Sequence, residues 1–138
     1  MKILLWHVRN FEIEVTDLAN RPNGIKPEPV SDPITKIKDA VLAFITVEES
    51  DKTVNTIEVT REIKKMTDQI GVKEAIICPF AHLSNKLANP EDSLSILKEI
   101  TENCMSQGLI TTRVHFGSDK ELLLDVYGHK GAVRFREF

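Results

Sequence analysis

The chain has 138 residues, 41% of them hydrophobic, enough for one domain to bury a core without metal ions or disulfides. A formal net charge of −3 excludes sequence-independent gripping of a long nucleic-acid backbone, which needs a basic surface to displace counterions. It leaves open a local site for the last few nucleotides of an RNA, where stacking and backbone hydrogen bonds replace a broad basic patch. Cys78 and Cys104 show neither a CxxC nor a paired spacing, so free thiols in a reducing, cytoplasmic compartment are expected. The apolar run Lys2-Ile3-Leu4-Leu5-Trp6 meets His7 and Arg9 too soon for a signal peptide or a membrane span.

Residues 2–8 are nearly all apolar, and Phe11, Ile13 and Val15 alternate with Glu12 and Glu14. This pattern predicts two strands joined by a turn at Arg9-Asn10. Between Ala19 and Pro33 lie four of the six prolines and Gly24, a composition that sustains neither strand nor helix. The stretch is a long loop, either a lid over a site or, more commonly, a surface connection. Residues 39–47 are a continuous run of strand formers for the centre of a sheet. A helix is predicted from Asn55, with Asn55 and Glu58 at capping-box spacing, Val59, Ile63, Met66 and Ile70 on one face, and Gly71 as terminator.

Residues 75–78 form a short apolar strand, and Pro79 ends it because proline cannot donate to a ladder. A second helix starts with Asn89 as cap, Pro90 at the first position, and Glu91 and Asp92 near the positive end of its dipole. Leu94, Leu97, Ile100 or Thr101, and Cys104 supply its buried stripe and Gly108 ends it. Ile110 to Phe116 and Leu122 to Val126 alternate, Gly117-Ser118-Asp119 and Gly128 to Gly131 read as turns, and Val133 to Phe138 is a last strand. The order β-β-β-α-β-α-β-β-β predicts a single α/β domain over residues 1–138, a mixed β-sheet with two packed helices.

Chemistry is expected at the end of the 75–78 strand, because loops converge at the carboxyl ends of strands flanked by helices and can offer unpaired backbone amides. His82 in that loop is placed to position or deprotonate a water, although a lone histidine is more often a structural hydrogen-bonder. Lys120 stands at the start of a strand, where its ammonium can reach a crevice, although an exposed turn lysine is the commoner case. Cys78 is a buried strand cysteine before it is a nucleophile. The four histidines lack HxH or HExxH spacing, so no metal is expected. The absence of GxxxxGK[ST], GxGxxG and GxSxG removes the usual support for nucleotide hydrolysis, dinucleotide binding and serine hydrolases.

Leu42-Ala43-Phe44-Ile45-Thr46-Val47-Glu48, Pro79-Phe80-Ala81-His82-Leu83-Ser84, Phe116-Gly117 with Lys120, and Gly128-His129 together resemble the archaeal threonyl-tRNA synthetase editing domain. The resemblance spans nearly the whole chain. It implies a D-aminoacyl-tRNA deacylase-like fold, a homodimer, and hydrolysis of serine wrongly attached to the threonine tRNA. It also implies that the chain is part of a longer synthetase or a separate editing polypeptide, with no cofactor.

Carried over by position, the resemblance implies that backbone atoms of Ala43, Phe44 and Ile45 hold the terminal adenosine, while Pro79, Phe80 and Ala81 line the aminoacyl pocket. Phe116 and Gly117 would complete its wall. His82 and Lys120 would be the functional side chains, with the substrate's ribose 2′-hydroxyl assisting. Ser118 and Asp119 stand where relatives commonly carry aromatic residues, and Lys130-Gly131 where a proline and a carboxylate follow, so no catalytic acid is assigned. Two rival readings are a D-aminoacyl-tRNA deacylase, whose Ser-Gln and Gly-Pro signatures are absent, and a non-catalytic module that binds the tRNA end or holds a dimer together.

Overall fold

Both predicted helices form between the capping residues that the sequence supplies. In the computed structural model, which describes residues 1–19 and 24–138, α1 spans Thr56–Ile70 and α2 spans Pro90–Ser106. The Asn55 side chain accepts from the Ile57 amide, and Gly71 closes α1 in the left-handed region at φ 85°, which costs glycine no Cβ clash. No bond returns from the Glu58 side chain among the described residues, so the predicted capping box reduces to a simple cap. Asn89 accepts from the Asp92 amide at 2.8 Å with Pro90 at the first helical position.

The strands are β1 (Lys2–Leu18), β2 (Ile34–Thr46), β3 (Glu74–Pro79), β4 (Ile110–Arg113), β5 (Ser118–Val126) and β6 (Val133–Glu137). They form one mixed sheet in the order β4-β3-β2-β1-β5, with β6 paired to the first residues of β1 beyond the reach of β5. β1 runs antiparallel to β2, β5 and β6, whereas β2, β3 and β4 are mutually parallel. The expected mixed sheet with two packed helices is thus the observed architecture.

Alternation along the strands sends successive side chains to opposite faces. Ile3, Leu5, Val41, Ala43, Ile45, Ala75 and Ile77 meet Val59, Ile63, Met66, Leu97, Ile100 and Cys104 of the helices in one core. On the other face Val8, Phe11, Leu42, Phe44, Ile76 and Cys78 form a second core. The 75–78 strand is therefore covered on both sides, which explains why it is apolar without alternation.

Expected strand limits are corrected at two places. Arg9-Asn10 is not a turn: β1 runs straight through it, with a shift in its register to β5 between Val8 and Asn10. Arg9 reaches Asp125 at 2.6 Å and lies over the Tyr127 ring at 4.4 Å, while Asn10 donates to Asp125 at 2.8 Å. The polar pair thus bonds to a neighbouring strand instead of reversing the chain. β4 stops at Arg113 rather than Phe116, and β5 begins at Ser118, inside the predicted turn. Of the predicted loop Ala19–Pro33, residues 20–23 lie outside the described residues, and β2 starts directly after it at Ile34.

Candidate functional site

β3 and β2 end side by side, with Ile45 opposite Pro79. Past that point the chain cannot continue the ladder, and the 79–88 loop folds back over the end of β2. Its hold is polar. The Phe80 amide donates to the Ile45 carbonyl at 3.0 Å, and the Ala88 amide to that of Val47 at 3.1 Å. The Thr46 hydroxyl donates to the Phe80 carbonyl and accepts from the Leu83 amide. Ser84 donates to Glu48 at 2.5 Å, and that bond holds the Glu48 carboxyl below its ordinary range. The amides of Ala81 and His82 make no hydrogen bond among the described residues.

Between this loop and the Phe116–Lys120 segment lies a cleft of about 710 Å³, of the size that small-molecule and cofactor sites occupy. Phe44, Ile45, Pro79, Phe80, Ala81, His82, Phe116, Gly117 and Lys120 all line it. Ala43 does not: it is fully buried in the helix-side core, and its backbone is paired with Leu5 on one side and Ile77 on the other. His82 is exposed, its ring standing edge-on to Phe80 at 5.2 Å, and Phe80 in turn packs on Phe44 at 4.6 Å. The aromatic stack gives the imidazole a fixed support at the cleft mouth.

Lys120 is half-buried, and its ammonium donates to the Ser118 carbonyl at 2.8 Å. Burial lowers its pKa, opposed by the fields of Cys78, Asp119 and Glu28, because the charged form loses hydration. Cys78, at the floor of the cleft, has its thiol pushed up to about 12 by burial, with Lys120 opposing. Burial thus disfavours the thiolate that a nucleophile needs. Among the described residues no group of three or more His, Cys, Asp or Glu side chains is arranged to hold a metal ion, and no helix is long and apolar enough to cross a membrane.

Sequence reasoning missed four contributors to the cleft. Thr46 fastens the 79–88 loop, Ile25 lines the cleft from within the Pro-rich segment, and Ile13 and Leu122 complete the wall between β1 and β5. Thr46 stood within a recognised string, and its position at a strand end beside a loop was a usable signal. Ile25 carried none, since nothing local says where an irregular segment docks.

The family described as the archaea-specific editing domain of threonyl-tRNA synthetase matches residues 1–138. The threonine–tRNA ligase of Thermococcus onnurineus is 36% identical over 135 residues, covering 94% of this chain and 21% of that protein. That of Thermococcus gammatolerans is 38% identical over the same coverage, and that of Thermofilum pendens 29%. The chain spans about a fifth of the length of these curated relatives. Among solved structures, the c-Myc DNA unwinding element binding protein superposes with a TM-score of 0.68 over 100% of this chain and 99% of that one, at 13% identity. That likeness shows the fold alone, and the D-aminoacyl-tRNA deacylase-like expectation agrees with it.

Proposed function

Because the chain belongs to the archaea-specific editing domain family of threonyl-tRNA synthetase, we propose that it hydrolyses the ester of L-serine mischarged onto threonine tRNA. The chemical need is clear: a synthetic site built for threonine gains only about 1–3 kcal/mol against serine from one methyl contact, so a second, smaller site must correct the error. The observation that carries the reading is the meeting, in one cleft, of a loop with two amides that make no hydrogen bond among the described residues, a supported imidazole and a half-buried ammonium.

In this reading the terminal adenosine lies along the end of β2 at Phe44 and Ile45, and the seryl group enters between Pro79–Ala81 and Phe116–Gly117. Lys120 orients the seryl group, and His82 places the attacking water. As the water adds to the ester carbonyl, its carbon becomes tetrahedral and the oxygen takes negative charge, which the amides of Ala81 and His82 stabilise. Collapse breaks the carbon–oxygen bond to the ribose, the adjacent 2′-hydroxyl passing its proton to the leaving oxygen and taking in exchange the proton that the attacking water gives up. No covalent enzyme intermediate is required, in keeping with the disfavoured Cys78 thiolate.

The same reading includes a homodimer. Val133 and Phe135 lie across from Trp6 and Leu4 on the sheet face away from the helices, and both are about half exposed. A second copy on that face would bury this apolar strip.

Deacylation of seryl-tRNA and threonyl-tRNA of the threonine isoacceptor tests the reading, with wild type, His82→Ala and Lys120→Ala side by side. Serine is expected to be lost and threonine spared, each substitution lowering the seryl rate about a hundredfold. Turnover of D-seryl-tRNA with L-seryl-tRNA untouched would replace this reading by the D-aminoacyl one, and no turnover on either would leave a binding module.

A further inference from the structure

The segment from Gly24 to Pro33 has no strand or helix to hold it, and Pro27, Pro29 and Pro33 remove three of its donors. Yet it is tied down, by the Val15 amide donating to the Pro33 carbonyl at 2.8 Å at its end and, within it, by Glu28. The Glu28 carboxylate takes both Arg113 terminal nitrogens, at 2.6 and 2.8 Å, and also accepts from the Phe116 amide at 3.0 Å. Its amide faces the Phe116 carbonyl at 3.4 Å. Its carbonyl meets His115 Nε2 at 2.7 Å, and since a carbonyl only accepts, that nitrogen carries the hydrogen. The other ring nitrogen, Nδ1, meets the Ser118 hydroxyl at 2.7 Å, and the Ser118 carbonyl takes the Lys120 ammonium.

One residue is therefore bonded to most of the strip that leads into the cleft wall. The ion pair is only 18% exposed on either side, and the forked guanidinium matches the carboxylate with two parallel bonds. The consequence lies one turn away. Pro27 is seated on Gly117 so closely that a Cβ there would lie 2.9 Å from Pro27 Cα and 3.2 Å from Ile25 Cγ2. Ile25 and Gly117 both line the cleft, with Pro79, Phe80 and Lys120.

We infer that Glu28 is a positioning residue, a latch to Arg113 and His115 that seats the Ile25 side chain as the part of the cleft wall that excludes the larger aminoacyl group. This rests on the editing reading and deepens it by naming where the extra methyl of threonine is refused. A branched side chain held rigidly is suited to such a task, because discrimination by one methyl requires a wall that does not yield. Lys120 then orients the substrate, while Ile25 bounds the space it enters.

The test is the ratio of kcat/KM for seryl-tRNA to that for threonyl-tRNA in wild type, Ile25→Ala, Glu28→Ala, Glu28→Gln and the Ile25→Ala/Glu28→Ala double variant, with melting temperatures alongside. Ile25→Ala is expected to cut the ratio about tenfold. Glu28→Ala shifts it in the same direction, and the double variant goes no further than the stronger single. Glu28→Gln, which keeps the shape but loses the charge, falls between wild type and Glu28→Ala and serves in its place if Glu28→Ala does not fold. A wild-type ratio in Ile25→Ala, or in folded Glu28 variants whose melting temperature alone has fallen, overturns the inference while leaving the editing reading intact. Absence of seryl turnover in the wild type overturns the editing reading, and the latch's role in specificity with it.

Discussion

Replacing Gly117 by alanine isolates the closeness with which the Pro27 segment is docked. Gly117 and Gly71 both have φ of 85°, but a Cβ on Gly71 meets nothing within 4 Å, whereas on Gly117 it meets backbone at 2.9 Å. The left-handed conformation alone costs an alanine about 1–2 kcal/mol, common to both sites. Overlap with the Pro27 backbone, which cannot swing aside like a flexible side chain, adds about 1–3 kcal/mol at Gly117 only. With an unfolding entropy of about 2.1 cal/mol/K per residue, 138 residues give a fall in melting temperature of about 3–4 °C per kcal/mol. Gly71→Ala should thus melt about 3–8 °C below wild type and Gly117→Ala about 7–18 °C below. Urea unfolding and thermal scans on the same three proteins supply the numbers, provided that each unfolds in one cooperative step. If the two variants agree within about 0.5 kcal/mol, the segment is not packed against Gly117, and the seating of Ile25 loses its physical basis.

Glu28, held down to about 2 chiefly by Arg113, contributes stability that is complete above the ordinary carboxylate value of 4.5 and lost as pH falls toward 2. Allowing for solvent at this partly exposed pair, that contribution is about 2 kcal/mol. The gap in urea stability between wild type and Glu28→Gln should be full at pH 7 and largely closed near pH 2; a gap that does not change with pH would refute the assignment. Lys120, whose charge is disfavoured by burial, should show the opposite balance of function and stability. Lys120→Met is expected to abolish most seryl turnover yet leave the protein as stable or up to about 1 kcal/mol more stable at pH 7, and a marked loss of stability would show the ammonium to be a structural tie. Burial pushes the thiols of Cys78 and Cys104 up to about 12. Both should therefore resist a thiol-disulfide reagent at pH 8 at least about a hundredfold longer in native buffer than in denaturant, and rapid native labelling of either would mean that its core opens.

Much of this protein was determined by short-range sequence. Asn55, Gly71, Asn89, Pro90 and Gly108 set the helix limits because caps act within one turn of backbone. Pro79 ended β3 for an equally local reason, the missing donor, and so the loop bearing His82 was identifiable in advance. The strings around Phe44, Pro79–Ser84 and Lys120 likewise pointed to residues that the fold brings to one cleft.

What only the tertiary structure decided depends on partners far along the chain. Arg9-Asn10 is a turn by composition and a strand in fact, because Asp125 on β5 takes both side chains. The side chain of Ala43 faces the helices while that of Phe44 faces the other core, since a period of two sends alternate residues to opposite sides and register alone decides which. The Pro-rich segment reads as a surface connection or a lid with no contact assigned, yet Glu28 finds Arg113 across 85 residues and Ile25 stands in the cleft wall. No pattern within a window announces such a pair: an ion pair's energy depends on distance and burial in space, and neither exists until the sheet has formed.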